Sequence, residues 1–425
     1  MVISDMRKTS TLAFSPADIL LPDTGDMARW SVIACDQFTS DPGYWDRVDG
    51  YVGSVPSALR LMLPEARLAG LDEAAEAEKI NRVMADYLHS GVFRTLEHSY
   101  IYLERQITGH RIRRGLLGVI DLDAYDYRPE ILSPVNPTEG IVQDRLPSRV
   151  KIRAGAPLEM PHIMVFIDDP HCTVIEPMIN ELREPDLLYS FNLMEGGGHI
   201  TGWAVSGEHE KRVETALLKL AEGRGESPLY AVGDGNHSLA AAKLHWERIR
   251  EGLSEAERET HPARWCLAEL VNLHDAAIVF EPIHRAVFDT DTAQLSEAVE
   301  GWISSLNTPG EGHALQLVCS GGEARYSVTG LTLGQLIAAV DRFTEDWVAA
   351  HGGRIDYVHG DGEAAELGRA EGCFSLLLPP MDKAELFPGL TRSGPFPKKS
   401  FSVGHARDKR YYLECRRIMP DAGMN

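Results

Sequence analysis

Leu229-Tyr230-Ala231-Val232-Gly233-Asp234-Gly235-Asn236-His237-Ser238-Leu239-Ala240-Ala241-Ala242-Lys243 carries the sharpest fold signal in this 425-residue chain. Its apolar opening predicts a strand over 229–232, its glycines a turn over 233–238, and its strong helix formers a helix over 239–251. Gly233 and Gly235 bracket Asp234 and let a ligand approach the backbone closely. Free N–H groups and the positive dipole end at such a helix start favour a phosphate. Asp234 and His237 flank the anion in this reading: Asp234 holds Mg²⁺ or takes a proton, and His237 donates to a phosphate oxygen. The competing reading is structural, with Asp234 or Asn236 capping the helix and His237 packed. The turn matches neither the Walker A pattern nor G-x-G-x-x-G.

Working outward, the chain alternates strand and helix signals. Strands are predicted over 31–35, 99–106, 115–122, 162–167, 187–192, 200–205, 264–274 and 277–283, and helices over 71–90 and 208–222. Beyond about residue 290 the pattern continues, with strands at 315–318, 325–328 and 374–378 and a helix over 333–350. The fold class is therefore α/β, of the mixed α+β kind. A boundary is placed near 290, giving a catalytic region over 1–290 and a C-terminal α/β region over 291–425. Residues 128–161, rich in proline and charge, read as a long loop or a set of short strands, which in a compact domain is usually functional. A final amphipathic piece ends near Arg417.

Composition narrows the function classes. Lys plus Arg number 42 and Asp plus Glu 63, a net charge of −21. Such a chain repels nucleic acid unless it carries a strong basic patch. The basic runs are short, Arg111-Ile112-Arg113-Arg114 and Lys398-Lys399 among them. The six cysteines form no C-x-x-C pair and read as reduced thiols in a cytoplasmic protein. No signal-peptide pattern opens the chain, and no stretch approaches the roughly 20 apolar residues of a membrane span. The expected partner is a small molecule, with neither nucleic acid nor membrane involved; a homodimer is compatible with the sequence.

Other segments offer chemistry to this turn. Asn136-Pro137-Thr138-Glu139-Gly140 is followed by Arg145, Arg149, Lys151 and Arg153. A carboxylate ahead of cations suits deprotonation of a hydroxyl beside a bound phosphate; the alternative is an exposed loop with surface ion pairs. Asp36 and Gln37 stand at the end of a short strand, where α/β proteins often place functional groups. Three glycines precede His199 and suit either backbone contact to a ligand or a hairpin turn. His284 and Arg285 end an apolar strand, pointing into a cleft or into solvent. Lys399 is a candidate anion clamp.

Six segments together identify a resemblance over nearly the whole length. They are Ile19-Leu20-Leu21-Pro22, Val32-Ile33-Ala34-Cys35-Asp36-Gln37-Phe38-Thr39-Ser40, Pro137-Thr138-Glu139-Gly140, Gly233-Asp234-Gly235-Asn236-His237-Ser238, Glu281-Pro282-Ile283-His284-Arg285 and Lys399-Ser400-Phe401-Ser402. As a set they resemble the uncharacterised DUF1015 family. That family is in turn similar to the ParB/sulfiredoxin fold through a D-G-H-H-R-type turn at a helix start. The resemblance implies a ParB/sulfiredoxin-like catalytic core with added N-terminal and C-terminal α/β elements.

Among the activities of that fold, the sulfinic-acid reductase needs a cysteine where this chain has Asn236. A DNA-partition role needs a basic module that is absent here. The resemblance therefore implies a free-serine kinase: phosphoryl transfer to the hydroxyl of a free amino acid, L-serine first, with Mg²⁺ and ATP, ADP or pyrophosphate. Asp234 then matches the motif aspartate and metal ligand, and His237 its second histidine. Glu139 is the expected base. Gly233, Gly235, Asn236 and Ser238 form the phosphate cradle, and Asp36, Gln37, His199, His284 and Arg285 bind substrate. Ser238 replaces the motif arginine, so the missing charge is expected from Arg145, Arg149 or Lys399. A phosphatase acting on a small phosphorylated metabolite and a non-catalytic nucleotide-binding regulator are the alternative readings.

Overall fold

Tyr230–Asp234 forms the expected strand, and the helix that follows runs Asn236–Arg250, starting three residues earlier than its apolar run suggests. The computed structural model describes residues 12–39, 41–142, 146–160, 162–225 and 227–420. They group into two compact units. The first comprises the described residues up to 137, residues 141–278 and those from 405 onward; the second comprises 138–140 and 279–404.

The first unit is organised by a mixed ten-stranded sheet. Along it lie Val135–Pro137, Tyr230–Asp234, Met164–Ile167, Trp265–Asn272, Ile112–Asp121, Phe93–Gln106, His199–Val205 and Leu187–Asn192. Tyr230–Asp234 runs parallel to Val135–Pro137 and antiparallel to Met164–Ile167. The central strands are buried on both faces, because alternate side chains feed two different cores. Tyr100 and Tyr102 join Leu116, Ile120, Val232, Leu239 and Trp246 in one core. Ile101 and Leu103 join Leu117, Val119, Trp30, Trp45 and Tyr412 in the other.

The C-terminal residues return to this sheet's surroundings in extended form rather than as an amphipathic element. Tyr411–Tyr412 pairs with Val32–Ile33, and Arg416–Arg417 pairs with Leu158–Glu159. Buried charge fixes the return. Glu269, fully buried, accepts from Arg410 at 2.5 Å and faces Arg113 at 3.4 Å. Arg410 also bonds Glu414 at 2.6 Å. Arg105, equally buried, donates to the carbonyls of Arg407, Asp408 and Lys409. Gly115 makes this possible, since a Cβ there would lie 2.5 Å from the Glu269 carboxylate.

The stretch expected to be a loop contains a helix, Leu146–Ala154. Its flanking prolines and its basic residues mask a helical repeat: Leu146 and Val150, four apart, pack against Ala240 and Ala241 of helix Asn236–Arg250.

The second unit is an antiparallel six-stranded sheet in the order Gly322–Thr329, Gly312–Cys319, Phe374–Leu377, Phe280–Phe288 and Arg354–His359. Phe401–Val403 also pairs with Phe280–Phe288. Residues 138–140 join this unit through backbone pairing of Thr138 and Gly140 with Phe396.

Removing Glu269 strands the buried Arg113 guanidinium without a counter-charge and leaves Arg410 with Glu414 alone. Glu269→Ala is expected to cost about 3–5 kcal/mol, read as a lowered urea midpoint. A midpoint unchanged from wild type contradicts the place given to this carboxylate.

Candidate functional site

The turn at 233–238 is shaped by close packing. A Cβ on Gly233 would lie 2.0 Å from the Phe166 ring, so the strand approaches its neighbour at a position open only to glycine. The sheet register slips between Val232 and Asp234, a bulge that turns the chain out of the sheet. Gly235 sits in the left-handed region at φ 75° as the helix N-cap. L-residues with a side chain rarely adopt that conformation. A Cβ there would also lie 3.0 Å from the Ile163 backbone.

Among the described residues no side chain caps this helix. The Asp234 carboxylate turns back and accepts from the Gly235 N–H at 2.9 Å. The Asn236 side-chain amide oxygen is buried and has no hydrogen-bond partner among the described residues. The structural alternative, a helix capped by Asp234 or Asn236, is therefore not what the chain adopts. His237 accepts the Val142 N–H on Nε2 at 3.1 Å, so in its neutral form the imidazole proton sits on Nδ1. Any donation to a phosphate comes from that nitrogen.

Two cations face the turn, each from a different element. Arg149, carried by the helix that sequence reading missed, stands 3.4 Å from the Ser238 hydroxyl and pairs with Glu65 at 2.5 Å. It thus brings a guanidinium to the position where Ser238 replaces the motif arginine. Lys409, on the C-terminal return, places Nζ 3.1 Å from Asp234 Oδ2, with both side chains largely buried. For charges about 4 Å apart in a partly buried setting, the direct attraction is roughly 4 kcal/mol before desolvation is charged against it.

Asp36 belongs to the same unit, at the end of Val32–Ile33, the strand paired with Tyr411–Tyr412. Gln37 donates to its carboxylate at 2.9 Å, and His162 Nε2 lies 3.6 Å from its other oxygen. Burial pushes the Asp36 carboxyl up, but His162, the Gln37 amide, Arg149 and Lys409 together outweigh it and hold it below its ordinary range. Asp36 is thus a carboxylate at neutral pH. Tyr412 spans the next layer. Its hydroxyl donates to Cys35 Sγ at 3.2 Å and lies 3.0 Å from His162 Nδ1. Burial, reinforced by the adjacent Asp36, pushes the Cys35 thiol up to about 12. Cys35 is therefore a thiol, without the nucleophilic thiolate of a redox or transfer cysteine.

The remaining expected residues are held by the following contacts. Glu139 lies in the second unit, half-buried, its backbone bridged to Phe396. Its neighbour Gly140 lines a cavity of about 620 Å³ within that unit, together with Thr332, Arg392 and Phe396. Lys399 is exposed, and its carbonyl accepts from Arg285 at 2.8 Å. His284 and Arg285 are fully buried, neither in a cleft nor in solvent. His284 bonds Asp361 at 2.9 Å and accepts the Leu378 N–H, while Arg285 clamps Asp341 at 2.6 and 3.2 Å. His199 is committed to Asn192 at 2.8 Å and Ser190 at 3.0 Å on the neighbouring strand. Arg145 lies outside the described residues. Sequence reasoning missed Glu65, His162, Lys409 and Tyr412.

Among the described residues, no group of three or more His, Cys, Asp or Glu side chains is arranged to hold a metal. Asp234 is a single carboxylate with one oxygen on a backbone N–H and the other on an ammonium. A divalent ion bound by one carboxylate and a ligand phosphate must first displace Lys409. These residues do not fit a resident metal.

Comparison with known proteins gives a consistent but distant picture. No curated protein matches the chain. Among solved structures it is similar to a free serine kinase in complex with AMP, at 12% identity and TM-score 0.37, covering 71% of this chain and 90% of that one. It is also similar to a conserved hypothetical protein from Pyrococcus furiosus, at 12% identity and TM-score 0.35, covering 71% and 94%. A third is SbnI from Staphylococcus aureus with a C-terminal truncation, at 12% identity and TM-score 0.33, covering 68% and 82%. Among the described residues no helix is long and apolar enough to cross a membrane. The sequence matches one family over residues 16–343, most of its length, and the chain belongs to that family, described as protein of unknown function (DUF1015).

Proposed function

We propose that the first unit binds a phosphate-bearing small molecule at the turn 233–238 and transfers its phosphoryl group to the hydroxyl of a free amino acid, L-serine first. ATP, ADP and pyrophosphate are the candidate donors. One observation carries the reading: the helix Asn236–Arg250 opens without a side-chain cap while Arg149 and Lys409 converge on its first turn. A helix start that no described side chain caps, beside two cations, makes a concentrated field for an anion. The choice of a serine-like acceptor comes from the sequence resemblance of the turn.

Asp36 is the acceptor-side carboxylate in this proposal. It shares the field of Arg149 and Lys409. Its lowered basicity does not disqualify it. Phosphoryl transfer through a loose transition state depends mainly on positioning and charge stabilisation rather than on strong proton abstraction. Asp36 would orient the hydroxyl and take its proton late, with His162 and Gln37 fixing the carboxylate plane. His237, with its proton on Nδ1, would donate to a phosphate oxygen.

The test is formation of phosphoserine by the purified full chain, followed by mass spectrometry with each donor in turn. Asp36→Asn is expected to lower kcat by about 10²-fold or more while leaving donor affinity within a small factor, and Glu139→Gln is expected to have little effect. The reverse ranking moves the base to Glu139. Phosphate release from phosphoserine without an acceptor assigns a phosphatase instead, and binding without turnover under all conditions leaves a regulator. Because the Asp36 carboxyl is held low, the acid limb of kcat/KM should fall below the ordinary aspartate value of about 3.9. Activity is kept above that limb and lost as pH drops through it. An acid limb near neutrality points to a different group.

A further inference from the structure

We infer that Lys409 occupies the metal position at Asp234, so that the ligand-free protein offers no divalent-cation site there. The inference refines the phosphate-site reading above, but it stands on the placement of Lys409 alone. Three observations converge. First, the Asp234 carboxylate has both oxygens engaged, one by the Gly235 N–H and one by the Lys409 ammonium. Second, Lys409 is not a loose surface chain. Its own carbonyl and the two before it are held by Arg105, and Arg113 adds a further bond to Asp408. The Asp408 carboxylate in turn accepts from the Thr108 N–H and hydroxyl, and the next residue, Arg410, is locked between Glu269 and Glu414. The backbone that aims the ammonium is thereby fixed on both sides. Third, the ammonium lies at ion-pair distance from the one carboxylate of the turn, where a divalent ion would make its protein contact.

The consequence is an exchange. An ammonium on a carboxylate in a half-buried setting blocks a hydrated divalent ion, which dehydrates reluctantly. A phosphate arriving at the helix start competes with Asp234 for Lys409, and only then does the carboxylate become available. The chain therefore carries its own counter-ion for the resting state, and that ion is the group that meets the phosphate.

Binding of Mn²⁺ to the full-length protein, followed by the loss of the free-ion electron spin resonance signal, tests this directly. The wild type is expected to bind Mn²⁺ weakly. Lys409→Met, which keeps the stem and removes the charge, should tighten binding at least about tenfold, equivalent to ~1.4 kcal/mol. Lys409→Arg keeps the charge and should stay weak, which separates loss of the cation from loss of the fold. Adding Asp234→Asn to Lys409→Met should abolish the gain. Equal Mn²⁺ affinity in wild type and Lys409→Met, or a gain that survives Asp234→Asn, overturns the inference. Pyrophosphate titrated into wild type in EDTA and in Mn²⁺ judges the other reading separately. If it binds in neither, the phosphate site fails, whatever Mn²⁺ does with Lys409→Met.

Discussion

Glu269 is the charge on which the first unit's functional geometry depends. It is fully buried at the centre of the sheet, facing Arg113 and bonded to Arg410. A buried cluster of this kind adds little net stability over an apolar one, because desolvation consumes most of the attraction; what it supplies is a strong preference for a single arrangement. Here the arrangement is long-range in sequence. Arg410 comes from the end of the chain, and with it come Lys409 on one side and Tyr411–Tyr412 on the other. Lys409 reaches Asp234, and Tyr411–Tyr412 pairs with the strand that delivers Asp36. One buried carboxylate thus sets the position of a cation and, through a two-stranded pairing, of a second carboxylate.

The electrostatics of the site follow from that convergence. Asp234, Asp36 and Glu65 face Lys409, Arg149 and the His162 imidazole, and both Lys409 and Arg149 already have a carboxylate partner. A phosphate therefore gains affinity by exchange, displacing carboxylates from cations rather than meeting bare charge. The helix start, which no described side chain caps, adds its positive dipole end. Cys35, though adjacent, is kept as a thiol by burial and by Asp36, which separates this site from cysteine-based chemistry on a similar turn.

Local features were legible in the sequence where a short-range rule governs them. The strand–turn–helix at 229–251 was readable because glycine spacing and helix propensity act over a few residues. Glu208–Glu222 and Leu187–Asn192 fall where periodicity places them. What escaped depends on partners distant in the chain. The helix Leu146–Ala154 hides its apolar face behind prolines and arginines, and that face has meaning only against Ala240 and Ala241. Lys409 looks like one basic residue in a mixed tail until Glu269 and Arg105 are seen to hold it. His284 and Arg285 misled in the opposite direction. A polar pair ending an apolar strand reads as a site, yet Asp361 and Asp341 consume both inside the second unit.

The central claim is that an anion seats on the first turn of helix Asn236–Arg250, between Arg149 and Lys409. Backbone amide resonances followed during pyrophosphate titration test it most directly. The account predicts the largest shifts at Gly235, Asn236, His237 and Ser238, accompanied by Lys409. Shifts confined to the second unit, around Glu139 and the cavity beside Gly140, would contradict it.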